Sequence, residues 1–173
     1  MGREPYLLSP TLSGKPCKGD TFTMPQSLSK QYTHLVFATK GRTDTLPKEH
    51  LAETHAYIAG ILNDLHCPAI IVGGTFNHIH ILFVLSRTVS LSEAVRITKA
   101  NSAKWLNGHN GLRQHFAWQD GYAAFSISQS HVEAVRQYIA TQAEHHNSTT
   151  FQDEYRRLCN LYDAGLDEKY AWD

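Results

Sequence analysis

The spacing of apolar residues constrains the fold most, because it switches between strand-like and helix-like periodicity several times along the chain. β-Branched and aromatic runs predict strands at residues 33–39, 69–72, 77–85 and 122–127. Apolar residues three and four positions apart predict helices over residues 51–65, 91–106 and 132–146. The order β-α-β-β-α-β, followed by a helix, predicts an α+β sandwich of ferredoxin-like type with an antiparallel sheet. The order of the strands in the sheet stays open. We expect segment 69–72 to be one of the two central strands, and strand 77–85 or its neighbour to be the other.

The length of 173 residues predicts one domain with a single core, which we place at residues 24–146. Residues 1–23 contain Gly, Ser, Thr and Pro without periodicity, and we expect a disordered leader there. Residues 147–173 are expected to form an acidic tail that packs on the domain. The three cysteines are odd in number and far apart, which fits a reducing cytoplasm without a disulfide framework.

Charge is unevenly distributed, although the formal net charge is zero with histidine neutral. Residues 84–142 contain six basic and three acidic residues, whereas residues 143–173 contain three basic and seven acidic ones. The overall balance argues mildly against a nucleic-acid binder, which is often basic. The basic middle segment keeps that function open.

Two histidines, His78 and His80, alternate along the predicted strand 77–85. Successive strand residues point to opposite faces, so both imidazoles share one face and the intervening apolar residues take the other. Two imidazoles about 7 Å apart on a rigid strand can bind one metal ion. Eleven randomly placed histidines would give about 0.7 such triplets. The triplet alone therefore leaves both a metal site and a pair of half-buried structural histidines open.

The third predicted helix contains Tyr138 and Gln142, four residues apart and hence on one helical face. A glutamine offers a carbonyl oxygen as a metal ligand, and a tyrosine offers a phenol as a nucleophile. A tyrosine beside an apolar stripe is, taken alone, more often a packing residue. Tyr138, however, is on a helix that follows the strand whose two histidines can bind a metal ion. This position favours the catalytic interpretation.

His78-Ile79-His80 followed by Tyr138-x-x-x-Gln142 resembles the two motifs of the HUH-type single-tyrosine transposases of the insertion-sequence 200/605 family. Residues 34–40 and 118–122 also look similar to that family, and the resemblance covers residues 24–146. The tail looks like that of a subgroup. Both motifs occur in the expected order, on an expected strand and an expected helix.

The resemblance implies a prokaryotic, cytoplasmic DNA transposase that cleaves and rejoins single-stranded DNA at insertion-sequence ends through a 5′-phosphotyrosine intermediate. Tyr138 would be the nucleophile on a C-terminal catalytic helix, and His78, His80 and Gln142 would hold Mg²⁺ or Mn²⁺. The partners implied are DNA with hairpin ends and a second subunit, in whose active site the tyrosine can act in trans. The candidate DNA contacts are Arg87, Arg96, Lys99 and Lys104.

Three alternatives remain open at this point. One is a replication or mobilisation endonuclease of the same HUH chemistry. Another is a metal-dependent hydrolase with water as the nucleophile, which needs a further histidine or carboxylate ligand that the sequence does not place. The last is a non-catalytic, domesticated DNA-binding relative, against which the intact motifs argue.

Overall fold

The structure, a computed structural model, describes residues 27–108, 115–142, 149–169 and 171–172. Within these residues lie the strands β1 Gln31–Ala38, β2 Ala69–Gly74, β3 His78–Leu85 and β4 Ala123–Ile127. The helices are α1 Leu51–Asp64, α2 Leu91–Asn107, α3 Val132–Ala140 and α4 Phe151–Leu161. The predicted leader at residues 1–23 lies outside the described residues.

The four strands form one sheet in the order β2-β3-β1-β4, and every neighbouring pair is antiparallel. This arrangement confirms the predicted ferredoxin-like α+β fold. The expected central place of β2 is wrong, because β1 pairs with β3 along its whole length and leaves β2 at the edge. In that register Val36 lies opposite His80, and Ala38 lies opposite His78.

The two faces of the sheet carry separate apolar clusters. One cluster joins α1 and α2 to side chains of β1 and β3, among them Leu35, Phe37, Ile79, Ile81 and Phe83. The other joins α3 and α4 to the opposite face. Because side chains alternate along β3, His78 and His80 point away from the first cluster and towards α3 and α4.

Helix α3 packs against the edge strand at Gly73, where a Cβ atom would lie 2.8 Å from Ile139 Cγ2 and 2.8 Å from Ile139 O. The missing side chain of Gly73 therefore lets the helix approach the sheet closely. The helix ends at Ala140, earlier than predicted, because Thr141 leaves helical geometry at φ −100° and ψ 15°. Residues 143–146 of the predicted helix lie outside the described residues.

Helix α4 was not predicted. It begins after Thr150, whose side-chain hydroxyl accepts a hydrogen bond from the backbone N–H of Asp153. Its buried apolar side chains recur at helical spacing and belong to the second cluster: Phe151, Tyr155, Leu158 and Cys159. Hydrophobic burial thus docks α4 over the face that bears the histidines.

None of the helices in the described part of the chain is both long and apolar enough to cross a membrane. Cys67 and Cys159 are buried free thiols, and Cys17 lies outside the described residues.

Candidate active site

Two fully buried imidazoles on β3 form the base of the site. The ring centroids of His78 and His80 are 5.1 Å apart and their planes are nearly perpendicular, at 86°. His78 Nε2 lies 3.7 Å from Glu154 Oε2, and His80 Nε2 lies 3.4 Å from Glu154 Oε1. The alternation predicted from the sequence therefore places both rings around one carboxylate.

The other ring nitrogens are held within the protein. His78 Nδ1 lies 2.7 Å from Asn77 Oδ1 and 3.0 Å from Thr75 Oγ1. His80 Nδ1 lies 3.0 Å from His34 Nε2. Hydrogen bonds at Nδ1 orient each ring so that Nε2 is turned towards Glu154, as in many histidines that ligate metals through Nε2.

Glu154, in the first turn of α4, is the residue that joins the site together. Its side chain is 3% exposed, and its carboxylate accepts hydrogen bonds from the Tyr138 hydroxyl and from Gln142 Nε2, the latter at 2.8 Å. A buried carboxylate requires such partners, since an isolated charge in an apolar environment is strongly destabilising. The ligand atoms of His78, His80 and Glu154 all lie within 4.8 Å of one another, a grouping that can hold a metal ion.

Sequence reasoning did not identify Glu154 as a site residue, because it treated residues 147–173 only as an acidic tail. The helix that carries Glu154 could have been predicted from the cap residue Thr150 and from the amphipathic spacing of the residues that follow it. That pattern predicts a helix but does not indicate which face of the sheet the helix covers.

Tyr138 lies on α3, half-buried beside the histidines of its own chain. Its ring is edge-on to that of His80, with centroids 5.8 Å apart. Burial, and then the hydrogen bond to Glu154, raise the pKa of the Tyr138 phenol to about 12. The hydroxyl is therefore protonated at neutral pH and is directed at the carboxylate.

Gln142 reaches the same carboxylate, although α3 ends two residues before it. Its side chain is 1% exposed, and its Oε1 has no hydrogen-bond partner among the described residues. The sequence placed Tyr138 and Gln142 on one face of a continuous helix. The structure brings both to Glu154 by a helix that ends in between.

Lys99, a candidate DNA contact, forms hydrogen bonds within the protein. Its ammonium donates hydrogen bonds to the carbonyl oxygens of three consecutive residues, at 3.0, 3.2 and 2.6 Å, which are Gln119, Asp120 and Gly121. Burial lowers the pKa of Lys99 to about 8. These contacts fasten the segment before β4 to α2.

The other basic candidates, Arg87, Arg96 and Lys104, are exposed. Arg96 forms a two-point ion pair with Glu93, with N–O distances of 2.8 and 2.6 Å. Arg87 donates to the backbone oxygen of Ser27 at 2.9 Å. The Arg96–Glu93 ion pair is on the surface, where such pairs contribute little to stability and are weakened by salt.

The family match and one solved structure agree with this architecture. The family model described as "Transposase IS200 like" matches residues 27–142, which include both motifs. A candidate transposase from Deinococcus radiodurans R1 is 19% identical, with a TM-score of 0.51 over 73% of this chain and 98% of that one, which supports the fold. A REP-associated tyrosine transposase bound to a REP hairpin is 14% identical, with a TM-score of 0.47 over 67% of each chain.

No curated protein matches the chain. The family match nevertheless spans well over half of its length, and the matched segment runs from before β1 to Gln142. The resemblance inferred from the two motifs is therefore confirmed. The chain belongs to the family of IS200-like transposases.

Proposed function

We propose that this transposase cleaves and rejoins single-stranded DNA with Tyr138 as the nucleophile, beside a divalent cation held by His78 and His80. The observation that supports this most is the convergence of both histidines and the tyrosine hydroxyl on one buried carboxylate. A site that combines metal ligands with a nucleophile is suited to phosphoryl transfer.

The donor set fits a divalent cation. Ligands about 2.1 Å from a metal lie about 3.0–3.4 Å from each other, and the nitrogen-to-oxygen distances of 3.4 and 3.7 Å to Glu154 are within a few tenths of an ångström of that range. Gln142 Oε1, which lacks a partner among the described residues, supplies a further oxygen. When bound, the cation would act as a Lewis acid on the scissile phosphate. Two imidazoles with a carboxylate favour Mn²⁺ over Mg²⁺.

Tyr138 needs a proton acceptor, because with a pKa of about 12 only about one phenol in 10⁵ is ionised at pH 7. Glu154 accepts the hydrogen bond of that phenol and is in place to take its proton. The phenolate oxygen would then form a bond to phosphorus while the bond to the 3′-oxygen breaks. The released 3′-oxygen would take up a proton from water, which leaves a 5′-phosphotyrosine and a 3′-hydroxyl. The covalent bond preserves the phosphodiester energy for rejoining.

We propose that Tyr138 acts on DNA bound at the histidines of its own chain, because its ring already lies beside that of His80. A homodimer, as the resemblance implies, would then have two complete sites rather than two composite ones. Mixing the Tyr138→Phe and His80→Ala proteins tests this point. Sites in cis predict no recovery of activity, whereas recovered cleavage would mean that the subunits exchange their tyrosines.

Arg87, Arg96 and Lys104 are the residues we propose for contacts to the DNA backbone, since their charged groups are exposed. Lys99 is a weaker candidate, because its ammonium would have to leave three carbonyl oxygens. Substitution of an arginine that binds phosphate should weaken DNA binding and reduce its dependence on salt.

A metal-dependent hydrolase is a second candidate, because Glu154 provides the carboxylate ligand that the sequence could not place. In such an enzyme water would replace Tyr138 as the nucleophile, and a cation held by His78, His80 and Glu154 would supply the Lewis acid.

The experiment that separates the two is incubation with single-stranded DNA from the flanks of the gene, in the presence of Mn²⁺. A tyrosine nucleophile predicts a covalent protein–DNA adduct that survives denaturation and is abolished by Tyr138→Phe. Tyr57→Phe on α1 is the matched control, since it removes a phenol on the other side of the sheet and should leave the adduct unchanged. Cleavage that persists in Tyr138→Phe would refute the tyrosine mechanism.

A further inference from the structure

A third histidine, His34, lies directly behind the metal-binding pair. It is on β1, opposite Leu82 of β3, and its side chain is fully buried on the same face of the sheet as His80. The rings of His34 and His80 stack, with centroids 5.2 Å apart and planes 28° apart. His34 Nε2 lies 3.0 Å from His80 Nδ1.

The position of this contact determines what His34 can do. His80 Nε2 is turned towards Glu154, so a cation held there must use the Nε2 lone pair. A neutral imidazole has one proton, which must then be on Nδ1. His80 Nδ1 would donate that proton to His34 Nε2, which has to be an acceptor.

The ring nitrogens of His34 have one hydrogen-bonding neighbour among the described residues. His34 is fully buried, its Nε2 faces His80 Nδ1, and its Nδ1 has no hydrogen-bond partner among those residues. A neutral ring that accepts at Nε2 bears its own proton at Nδ1. This acceptor is a nitrogen, whereas the other histidine of the pair, His78, has oxygen neighbours at its Nδ1, on Asn77 and Thr75.

We propose that His34 is a positioning residue that holds His80 in the tautomer with Nδ1 protonated and presents its Nε2 to the cation. This inference rests on the proposed function, in that it assumes a cation at His78 and His80. It assigns a purpose to a buried polar residue of β1 that belongs to neither sequence motif. Interactions of this kind typically alter metal affinity by about 10- to 100-fold.

The test measures Mn²⁺ binding to the full chain without DNA, by isothermal titration calorimetry. His34→Leu retains the bulk of the side chain but removes the acceptor, and it should weaken Mn²⁺ binding by about 10- to 100-fold. His34→Gln places an amide oxygen near the former Nε2 and should recover most of the affinity. The matched control is His55→Leu, which removes a partly buried histidine from α1 on the other side of the sheet and should bind Mn²⁺ as the wild type does.

Wild-type affinity in His34→Leu would overturn the inference while leaving the proposed function intact. Absence of Mn²⁺ binding by the wild-type protein would overturn both, and absence of the DNA adduct with normal Mn²⁺ binding would overturn the tyrosine mechanism alone. Should His34→Leu fail to fold, nitrogen-15 NMR of the wild-type imidazoles with Zn²⁺ bound decides the matter. A proton on His80 Nδ1 supports the inference, and a proton on His80 Nε2 refutes it.

Discussion

The close approach of α3 to the sheet at Gly73 gives a prediction that can be worked from distances. In Gly73→Ala the new Cβ would lie 2.8 Å from both Cγ2 and the backbone oxygen of Ile139, whereas ordinary contacts begin at 3.4 Å. The side chain can rotate but the carbonyl cannot, so α3 must retreat by about 0.6 Å. Overpacking of this kind costs about 1–3 kcal/mol, and each kcal/mol lowers the Tm of a chain of this size by about 2–4 °C.

The retreat also displaces Tyr138, which is one residue from Ile139. A misplacement of this size should reduce the rate of DNA cleavage by about 10- to 100-fold. Thermal unfolding and single-turnover cleavage of the same preparation measure the two effects. Gly60→Ala is the matched control, because nothing lies within 4 Å of its added Cβ and alanine favours the helix there, so its Tm should rise slightly. If Gly73→Ala keeps wild-type Tm and cleavage rate, α3 does not dock as described.

Three further predictions concern the carboxylate, the buried lysine and acid stability. Glu154→Gln should weaken Mn²⁺ binding in calorimetry at least tenfold. Asp153→Asn makes an equal charge change on an exposed neighbour and should leave the Mn²⁺ affinity unaltered. If Glu154→Gln binds Mn²⁺ as tightly as the wild type does, Glu154 is not a ligand. Lys99→Met should lower the free energy of unfolding in urea by about 1–3 kcal/mol, because three carbonyl oxygens lose a charged donor, and an unchanged midpoint would contradict this. Burial lowers the pKa of His55 from 6.5 to about 4, so the unfolded chain binds more protons. The contribution of His55 to the free energy of unfolding is complete above pH 6.5 and is lost as the pH falls towards 4. His55→Leu should therefore reduce the slope of the free energy of unfolding against pH in that window.

The parts of the site that depend on local periodicity could be predicted from the sequence. Alternation on β3 was sufficient to place His78 and His80 on one face, because a strand fixes the direction of every second side chain. The spacing of Tyr138 and Gln142 likewise selected two residues that meet at one point, although α3 ends at Ala140.

The parts that depend on long-range packing could not be predicted in this way. Glu154 enters the site only because α4 covers the second face of the sheet, and an amphipathic pattern does not reveal its partner. His34 becomes relevant only through the register of β1 with β3, and the strand order was open. Lys99 seemed available to DNA, since nothing in the sequence indicates that the carbonyls of residues 119–121 would surround its ammonium.

The most direct test is to identify by mass spectrometry the residue that becomes linked to DNA. The protein is incubated with Mn²⁺ and single-stranded DNA from the flanks of its gene, digested, and searched for a peptide that bears a 5′-phosphonucleotide. A nucleophilic role predicts that this modification is on Tyr138. Cleaved DNA without any modified peptide, or a modification on a different tyrosine, would contradict it.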